Sequence, residues 1–417
     1  MKILHLSSSD VGAGAPRATL RLHEGLRRAG VDSTVLVKKK LSGDPSIIDG
    51  VRPTTRPQRL WRRMTTDLDA LPTRLLKTDN TAGLSPAWVP DTVPRTVDAM
   101  PADIVHLHWI CEGFLTPRSI AKLRKPLVWN SYDMWPICGA EHYAGDSRRH
   151  IEGYTKSNRL VGETGFDLNR WVWRRKMKAW RDLDVTMVVA TRWLADHFRQ
   201  SVLFKDKRIE IIAHGVDHRV FKPVDRKFSR HVLNLPQDKR LILFGASGGM
   251  GNRRKGGHLL QAALRELAAQ GYARDTELVV FGAAAPAKDV ELGIKVHYLG
   301  APDSVSVCLA YNAADVFVAP SLEDNLPLTV LEALSCGTPV VAFDIGGLLD
   351  TLVHQTNSYL AKSFDTRDLA AGIAWMLGDE PRREALGVAG RRLVEERYQM
   401  DYLAARYIDL YRNILTR

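Results

Sequence analysis

The residues with the plainest chemical purpose lie between Pro320 and Pro339, in the order Pro-Ser-Leu-Glu-Asp-Asn-Leu-Pro-Leu-Thr-Val-Leu-Glu-Ala-Leu-Ser-Cys-Gly-Thr-Pro. Before them, the apolar run Val316-Phe317-Val318-Ala319 reads as a buried strand that Pro320 and Ser321 end. The turn Glu323-Asp324-Asn325 follows. Pro327 suits the first position of a helix, where its missing N–H would go unpaired anyway. That helix runs through Leu328, Leu331, Ala333 and Leu334 and stops at Gly337. A helix start just past a strand's carboxyl end is an anion site, because its first amides have no partner within the helix. Glu332, deeper in the helix, is placed to accept hydrogen bonds from a hydroxylated ligand. An anion site beside a hydroxyl acceptor suggests a nucleotide sugar.

A second segment supplies positive charge. Gly245-Ala246-Ser247-Gly248-Gly249-Met250-Gly251-Asn252-Arg253-Arg254-Lys255-Gly256 frees backbone amides through its glycines and sets three cations just before a helix. Such a loop can grip a diphosphate and neutralise charge as a leaving group departs. It is not a P-loop, since G-x-x-x-x-G-K-[ST] is unmet. A merely solvated basic loop is the plain alternative, and the matching anion site at Pro327 weighs against it. Near the start, Gly12-x-Gly14-x-x-Arg17 lacks the third glycine of a dinucleotide fingerprint. A NAD site also wants an acidic residue about 20 residues on. Lys38-Lys39-Lys40 stand there instead, which an NADP site would tolerate. The preferred reading is that Gly12 and Gly14 let the backbone approach a ligand.

Other candidates stand at strand ends. His108 and Trp109 close the segment Asp103-Ile104-Val105-His106-Leu107-His108-Trp109, and Asp133 follows Leu127–Asn130. Each is placed to meet an acceptor. His106 shares the side of His108 and reads as buried. His142, Arg148 and Arg149 read as a polar, solvated loop. Trp171, Trp173 and Trp180 mark a helix with Arg174, Arg175 and Lys176, where core packing is the favoured role. Asp182-x-Asp184 has metal-binding spacing but enters its strand from the amino end, whereas ligands in such sheets sit at carboxyl ends. Asp67-x-Asp69 lies away from any predicted sheet edge. No metal is expected.

Two series of elements must hold these residues. The first has strands Lys2–Leu6, Ser33–Val37, Ile104–His108, Leu127–Trp129, Val185–Ala190 and Ile209–Ile212, with a helix from about Pro16 to Ala29. The second has strands Leu241–Gly245, Leu278–Gly282, Val296–Leu299, Val316–Ala319 and Val340–Phe343, with a helix near Gly257–Ala269. Short continuous apolar runs alternating with helices indicate parallel sheets covered on both faces. The expected fold is α/β, two doubly wound Rossmann-like domains facing across a cleft, with a boundary near His218–Pro223. The length of 417 residues agrees, since one core of that size would be unusual.

Residues 41–100 break the rhythm. Pro45, Pro53, Pro57, Pro72, Pro86, Pro90 and Pro94 argue against a continuous strand or helix. Arg52, Arg56, Arg59, Arg62 and Arg63 cluster there, and Leu60, Trp61, Met64, Leu68 and Leu75 can share one helical face. A basic amphipathic helix can lie on an anionic membrane; packing on the first domain is the favoured role. Asn80–Asp91 reads as a flexible loop.

Composition narrows the class. Hydrophobic content of 45% and charged content of 25% are ordinary for a soluble globular protein. No apolar run reaches the roughly 18 residues of a membrane-spanning helix, and Met1–Leu6 is too short for a secretion signal. Four cysteines, at 111, 138, 308 and 336, include no C-x-x-C pair. A cytoplasmic protein is expected, with any membrane contact limited to the inner face. The net charge of +12 implies an anionic partner. No RRM, KH, zinc-finger or basic-zipper pattern appears, so nucleic acid is not expected.

Taken together, these residues resemble the retaining GT-B glycosyltransferases of glycosyltransferase family four, of the bacterial cell-surface polysaccharide type. The resemblance covers nearly the whole chain: the opening strand and glycine turn, the segment 103–109, His214-Gly215-Val216-Asp217, the Arg-Lys-Gly loop and the segment 320–339. In the family's E-x7-E element, Asp324 and Glu332 occupy the two acidic places. The resemblance implies an acceptor-side domain of residues 1–218 with the basic insert at about 41–100. It implies a nucleotide-sugar domain of 219–395 and a final helix, 396–417, crossing back onto the first domain. Glu332 would hold the ribose hydroxyls, amides of Leu328 and Thr329 the distal phosphate, and Lys255 with Arg253 or Arg254 the departing diphosphate. Asp324, with Glu323 as substitute and Asn325 beside it, would meet donor-sugar hydroxyls; Gly248 and Gly249 would line the donor. No cofactor is implied beyond the nucleotide sugar as co-substrate. The family often has histidine near the reacting sugar where this chain has Tyr132. It often has glutamate where this chain has Asp324, and glycine where it has Pro327. Relatives' cysteines after the Tyr132 position are represented here by Glu141 and Ser147.

Three expectations follow. The first is sugar transfer from a UDP- or GDP-sugar to a glycan or lipid-linked acceptor in surface polysaccharide assembly. The second, motivated by Tyr132, Asp324 and Pro327, is an inactive nucleotide-sugar-binding subunit. The third is an NADP-dependent oxidoreductase using Gly12, Gly14 and Lys38.

Overall fold

The computed structural model describes residues 1–12, 14–50, 56–78, 83–286 and 291–416, without the side chains of 56–60, 62 and 63. The chain divides into two compact units, Met1–Ala213 with Asp401–Arg417, and His214–Met400.

In the first unit, described residues form a parallel sheet in the order Ile47–Asp49, Asp32–Lys39, Lys2–Ser9, Ile104–Leu107, Leu127–Ser131, Thr186–Val189 and Arg208–Ile211. The central strands are buried along their length, as expected where helices cover both faces. Strand order reverses between Lys2–Ser9 and Ile104–Leu107, so the carboxyl ends of these two strands flank a switch point. The helix Ala15–Arg28 leaves the first strand through Gly14, whose φ of 65° an L side chain would resist.

The last helix, Met400–Leu415, belongs to this unit by its buried stripe of Leu403, Ala404, Tyr407, Leu410 and Tyr411. Buried tyrosine hydroxyls need partners, and the sheet supplies them. The Tyr411 hydroxyl bonds His106 Nδ1 at 2.7 Å, and Asn130 Nδ2 donates to the Tyr407 hydroxyl at 2.7 Å.

In the second unit the order is Val296–Tyr298, Thr276–Phe281, Arg240–Gly245, Val316–Ala319, Val340–Phe343 and Ser358–Ala361, again parallel. The reversal falls between Arg240–Gly245 and Val316–Ala319, the strands that precede the cationic loop and the Asp324–Glu332 segment. Aspartates fasten the helices around it: Asp303 accepts from the Ser306 amide, and Asp365 from the amides of Arg367 and Asp368. No helix among the described residues is long and apolar enough to cross a membrane.

Several expectations need correction. The proline-rich segment holds a strand, Ile47–Asp49, and a helix, Arg56–Ala70. Pro57 is the second residue of that helix, where no interior hydrogen bond is lost. The expected apolar face does not pack inward: Trp61, Met64 and Leu75 are exposed, while Thr65 and Asp69 are buried. Arg52 lies outside the described residues, as do the side chains of Arg56, Arg59, Leu60, Arg62 and Arg63. Asn80 does too, but the rest of the supposed flexible loop from residue 83 is packed, with Ala87 and Val89 buried. The Asp69 carboxylate accepts the Trp88 amide at 2.8 Å. His142 and Arg149 are buried rather than solvated, whereas Arg148 is exposed. Pro327 is the N-cap, so the helix Leu328–Ser335 begins one residue later than expected.

Candidate active site

The cationic loop leaves the strand Arg240–Gly245 and crosses to the neighbouring strand's end. Gly248 and Gly249 take positive φ, 85° and 56°, which permits the tight reversal. At Gly256, φ is 72°, and a Cβ there would stand 1.7 Å from the Pro320 carbonyl oxygen. Glycine at this point lets the loop press against the segment after Val316–Ala319. The Leu322 amide donates to the Arg254 carbonyl at 2.8 Å, and Arg254 Nη1 donates to the Glu323 carbonyl at 2.9 Å.

This contact brings cations onto Asp324. Its Oδ2 accepts from Lys255 Nζ, and from Ser321 Oγ at 3.0 Å. Its Oδ1 accepts from the Asn325 amide at 3.2 Å, with the Arg254 guanidinium 3.5 Å away. Burial opposes the charge of Asp324, but Lys255 and Arg254 outweigh it and hold the carboxyl below its ordinary value. Burial also draws the Lys255 ammonium down, against the pull of Asp324. A small hollow beside this pair is faced by Lys255, Pro320, Ser321, Pro327 and Thr329. A cavity of about 340 Å³ adjoins the glycines, lined by Gly248, Gly249, Met250, Val280, Leu292 and Tyr298.

Arg254, Lys255, Glu323, Asp324, Asn325 and Thr329 therefore meet, as their positions at two adjoining strand ends require. Arg253 is exposed at the rim, and Leu328 is buried under the helix start. Glu332 is fully buried and accepts from the Tyr311 hydroxyl at 3.3 Å. Tyr311 was not singled out in the sequence, and Ser321 was read only as the end of a strand. An aromatic in an apolar helix gives no sign of which carboxylate its hydroxyl will reach.

Gly12 and Gly14 belong to the other unit, where a second polar cluster forms. The Thr19 hydroxyl donates to the Ala15 carbonyl at 2.9 Å, so toward Tyr132 (3.3 Å) it is an acceptor. The Tyr132 hydroxyl also lies 2.8 Å from His108 Nδ1. His108 Nε2 in turn lies 2.8 Å from His5 Nδ1. His5 Nε2, at the far end, has no hydrogen-bond partner among the described residues. His108 is 2% exposed and turned inward, so it supports Tyr132 instead of meeting an acceptor.

His5, His106 and His108 bring nitrogens within 4.8 Å of one another, as a metal would need. Yet both nitrogens of His106 are engaged, with the Tyr411 hydroxyl at 2.7 Å and Asn130 Oδ1 at 3.0 Å. Both of His108 are engaged too. All three rings are thus tied into one hydrogen-bond network, with His5 Nε2 lacking a partner among the described residues. Burial draws His106 down to about 3 and His5 well below its ordinary value.

Asp133 and Trp109 meet through His142. Asp133 Oδ2 lies 2.8 Å from His142 Nδ1, His142 Nε2 lies 2.8 Å from Ser85 Oγ, and the Trp109 ring stacks on His142 at 4.7 Å. Lys176 is fully buried and donates to the carbonyls of Trp135, Cys138 and Gly139, pinning the chain after Asp133. Burial draws it down to about 7. Its sign in the sequence was the row Leu168, Val172, Lys176, Trp180, a single cation at four-residue spacing on a buried face. The Asp10 carboxylate, likewise missed, accepts the amides of Leu41 at 2.8 Å and Ser42 at 2.9 Å beside the glycine turn.

Comparison with known proteins agrees with this architecture. Residues 12–220 match the family described as Glycosyltransferase Family 4, and residues 225–393 match Glycosyl transferases group 1. A D-inositol 3-phosphate glycosyltransferase of Xylanimonas cellulosilytica is 28% identical over 94% of this chain and 89% of its own. One from Segniliparus rotundus is 26% identical over 69% of this chain, which spans 61% of that relative. Other relatives of that name are matched over about half their length. Among solved structures, sucrose-phosphate synthase from Thermosynechococcus elongatus superposes with a TM-score of 0.68 at 18% identity, covering all of both chains. Anabaena Alr3699/HepE in complex with UDP and glucose gives 0.65 at 15% identity, over 98% of this chain and 99% of its own. These structural likenesses concern the GT-B fold.

Proposed function

The chain belongs to Glycosyltransferase Family 4, and from that membership we propose that it moves a sugar, with retention, from a UDP- or GDP-sugar to a glycan or lipid-linked acceptor in surface polysaccharide assembly. The observation that carries the reading is the cluster of Arg254, Lys255 and Asp324 at the switch point of the second sheet. It stands where a diphosphate would rest, beside a cavity large enough for a base.

In this reading the bond between the anomeric carbon and the diphosphate oxygen breaks as an acceptor hydroxyl attacks the same face. The hydroxyl proton passes to the leaving phosphate, so no protein nucleophile is needed. Lys255, with Arg254 and the rim Arg253, would stabilise charge that grows on the diphosphate. Asp324 would hold the two cations in place before donor arrives, and Glu332, oriented by Tyr311, would take the ribose hydroxyls. Amides of Leu328 and Thr329 would meet the distal phosphate. Tyr132, Trp109 and Asp133 would shape the acceptor side. Neither a cofactor nor a metal enters this scheme. Exposed Trp61, Met64 and Leu75, with the chain's charge of +12, support contact with the inner face of an anionic membrane.

A second reading concerns the acceptor alone. Relatives named for D-inositol 3-phosphate make a phosphorylated cyclitol a candidate, and the positive net charge favours it. The oxidoreductase reading loses its motive, because Lys38 is buried and its ammonium is held by Thr66 Oγ1 at 2.8 Å and by the Glu112 carbonyl. A panel of UDP- and GDP-sugars against both acceptor classes, followed by release of nucleoside diphosphate and by NMR of the new anomeric centre, tests the proposal. Donor hydrolysis lost in Glu332→Ala and Lys255→Ala would set aside an inactive binding subunit. Calorimetry showing that neither UDP nor GDP binds would sink the reading.

A further inference from the structure

Two cysteines of the second unit meet directly behind Glu332. Cys308 lies on the helix Ser304–Ala313, and Cys336 caps the helix Leu328–Ser335. Their sulfurs are 3.8 Å apart, close enough for a thiol–thiol hydrogen bond, and both residues are buried. A disulfide needs about 2.05 Å between sulfurs, so closing the remaining gap draws on the two helices that carry them. We propose that Cys308 and Cys336 form a reversible disulfide that modifies the donor site by clamping the two helices which hold Tyr311 and Glu332.

The surroundings give the two sulfurs different roles. The hydrogen bond with Cys336 and the Asn312 amide, 3.5 Å from the sulfur, favour the Cys308 thiolate and bring that thiol down to about 6. Burial pushes the Cys336 thiol up. Cys308 is therefore the attacking sulfur and Cys336 the resolving one. With a small peroxide as oxidant, the Cys308 thiolate takes one oxygen to become a sulfenic acid and hydroxide leaves. The Cys336 sulfur then attacks that sulfenic sulfur, the S–S bond forms, and the sulfenic oxygen departs as water after taking up a proton. A dithiol reductant reverses the step and restores both thiols.

The helices transmit the change. Tyr311 is one turn beyond Cys308, and its hydroxyl bonds Glu332 Oε2 at 3.3 Å. The Cys336 amide donates to the Glu332 carbonyl at 3.1 Å. Drawing the sulfurs together therefore pulls on both ends of the Tyr311–Glu332 bond, and Glu332 is the ribose partner in the function proposed above, on which this consequence rests.

The test treats the full chain with hydrogen peroxide, then alkylates it under denaturing conditions and maps its peptides by mass. The expected product carries two labels instead of four and a linkage between the Cys308 and Cys336 peptides. Its UDP or GDP affinity should fall about tenfold, equivalent to about 1.4 kcal/mol, and recover with dithiothreitol. Cys308→Ser and Cys336→Ala should each abolish the linkage and the loss of affinity, and either variant suffices if the other does not fold. Four labels after oxidation, a linkage through Cys111 or Cys138, or a linked protein with unaltered affinity would overturn the proposal. A reduced protein that binds neither nucleotide sinks the donor-site reading, while the mass map still decides the linkage.

Discussion

Asp324 and Lys255 are each costly to bury alone, and each removes the other's cost. Their side chains are 6% and 20% exposed, so the pair is shielded though not sealed. Breaking a fully buried pair by deleting one partner costs about 3–5 kcal/mol, and partial exposure lowers that here. Lys255→Met should therefore lower the thermal midpoint and, by removing charge from the leaving group's neighbourhood, cut turnover about 10²–10³-fold. Adding Asp324→Asn should recover the midpoint without recovering turnover. A double variant as unstable as the single one would show that the pair does not act as a unit. The buried histidines make a separate prediction about pH. Burial draws His106 to about 3, and His23 and His214 to about 4, against about 6.5 in an unfolded chain. The folded state then binds fewer protons than the unfolded one throughout that window. Stability is fully present above pH about 6.5 and is lost as pH falls toward 4. Thermal melts between pH 7.5 and 4.5 should show the midpoint falling from about 6.5 downward, with His106→Asn flattening the slope. Residue types alone singled out Lys255, Arg254 and Asp324, which the fold brings together. They did not reveal that Lys255 would bond Asp324 or that His142 would join Asp133 to Trp109, since those partners meet only through the fold.

The elements explain which parts of the sequence were readable. Strands such as Val316–Ala319 and Val340–Phe343 are apolar throughout, and a continuous run of that length between turn residues has few other readings. Ser358–Ala361 escaped notice because two of its four residues, Tyr359 and Leu360, are only partly buried and its edge position relaxes the pattern. The helix Arg56–Ala70 was legible in the spacing of Leu60, Trp61, Met64 and Leu68, although the prolines around it argued against a continuous element. Glycines carry more definite information. Gly256 must accept both a left-handed backbone and the Pro320 carbonyl, so Gly256→Ala should cost at least about 1–3 kcal/mol from conformation alone. Urea titration of that variant should show a lower midpoint at unchanged slope. Gly271 also has positive φ, but a methyl added there would meet no atom within 4 Å, so Gly271→Ala should lose less. Equal losses at the two positions would mean that contact with Pro320 contributes nothing.

At the scale of the whole molecule, the two sheets each have their own switch point, strand order and core, which is why a division was legible from rhythm alone. The second unit is one continuous stretch, His214–Met400, whereas the first needs a distant tail. A fragment of residues 214–400 should melt cooperatively and retain affinity for UDP or GDP. A fragment of residues 1–213 should keep helical signal in the far ultraviolet but lack a fixed aromatic spectrum, because Asn130 and His106 lose Tyr407 and Tyr411. Supplying residues 400–417 as a separate peptide should restore it.

The bond between His106 and Tyr411 joins residues separated by 305 positions. A ribosome making this polypeptide emits the first unit's sheet long before the tyrosines that close it. Nascent chains should therefore complete the later-made unit first and hold the earlier one open until those tyrosines emerge, an order opposite to that of simple vectorial folding. Translation arrested just short of Leu403 should leave the amino-terminal half open to protease while residues 214–400 already resist it.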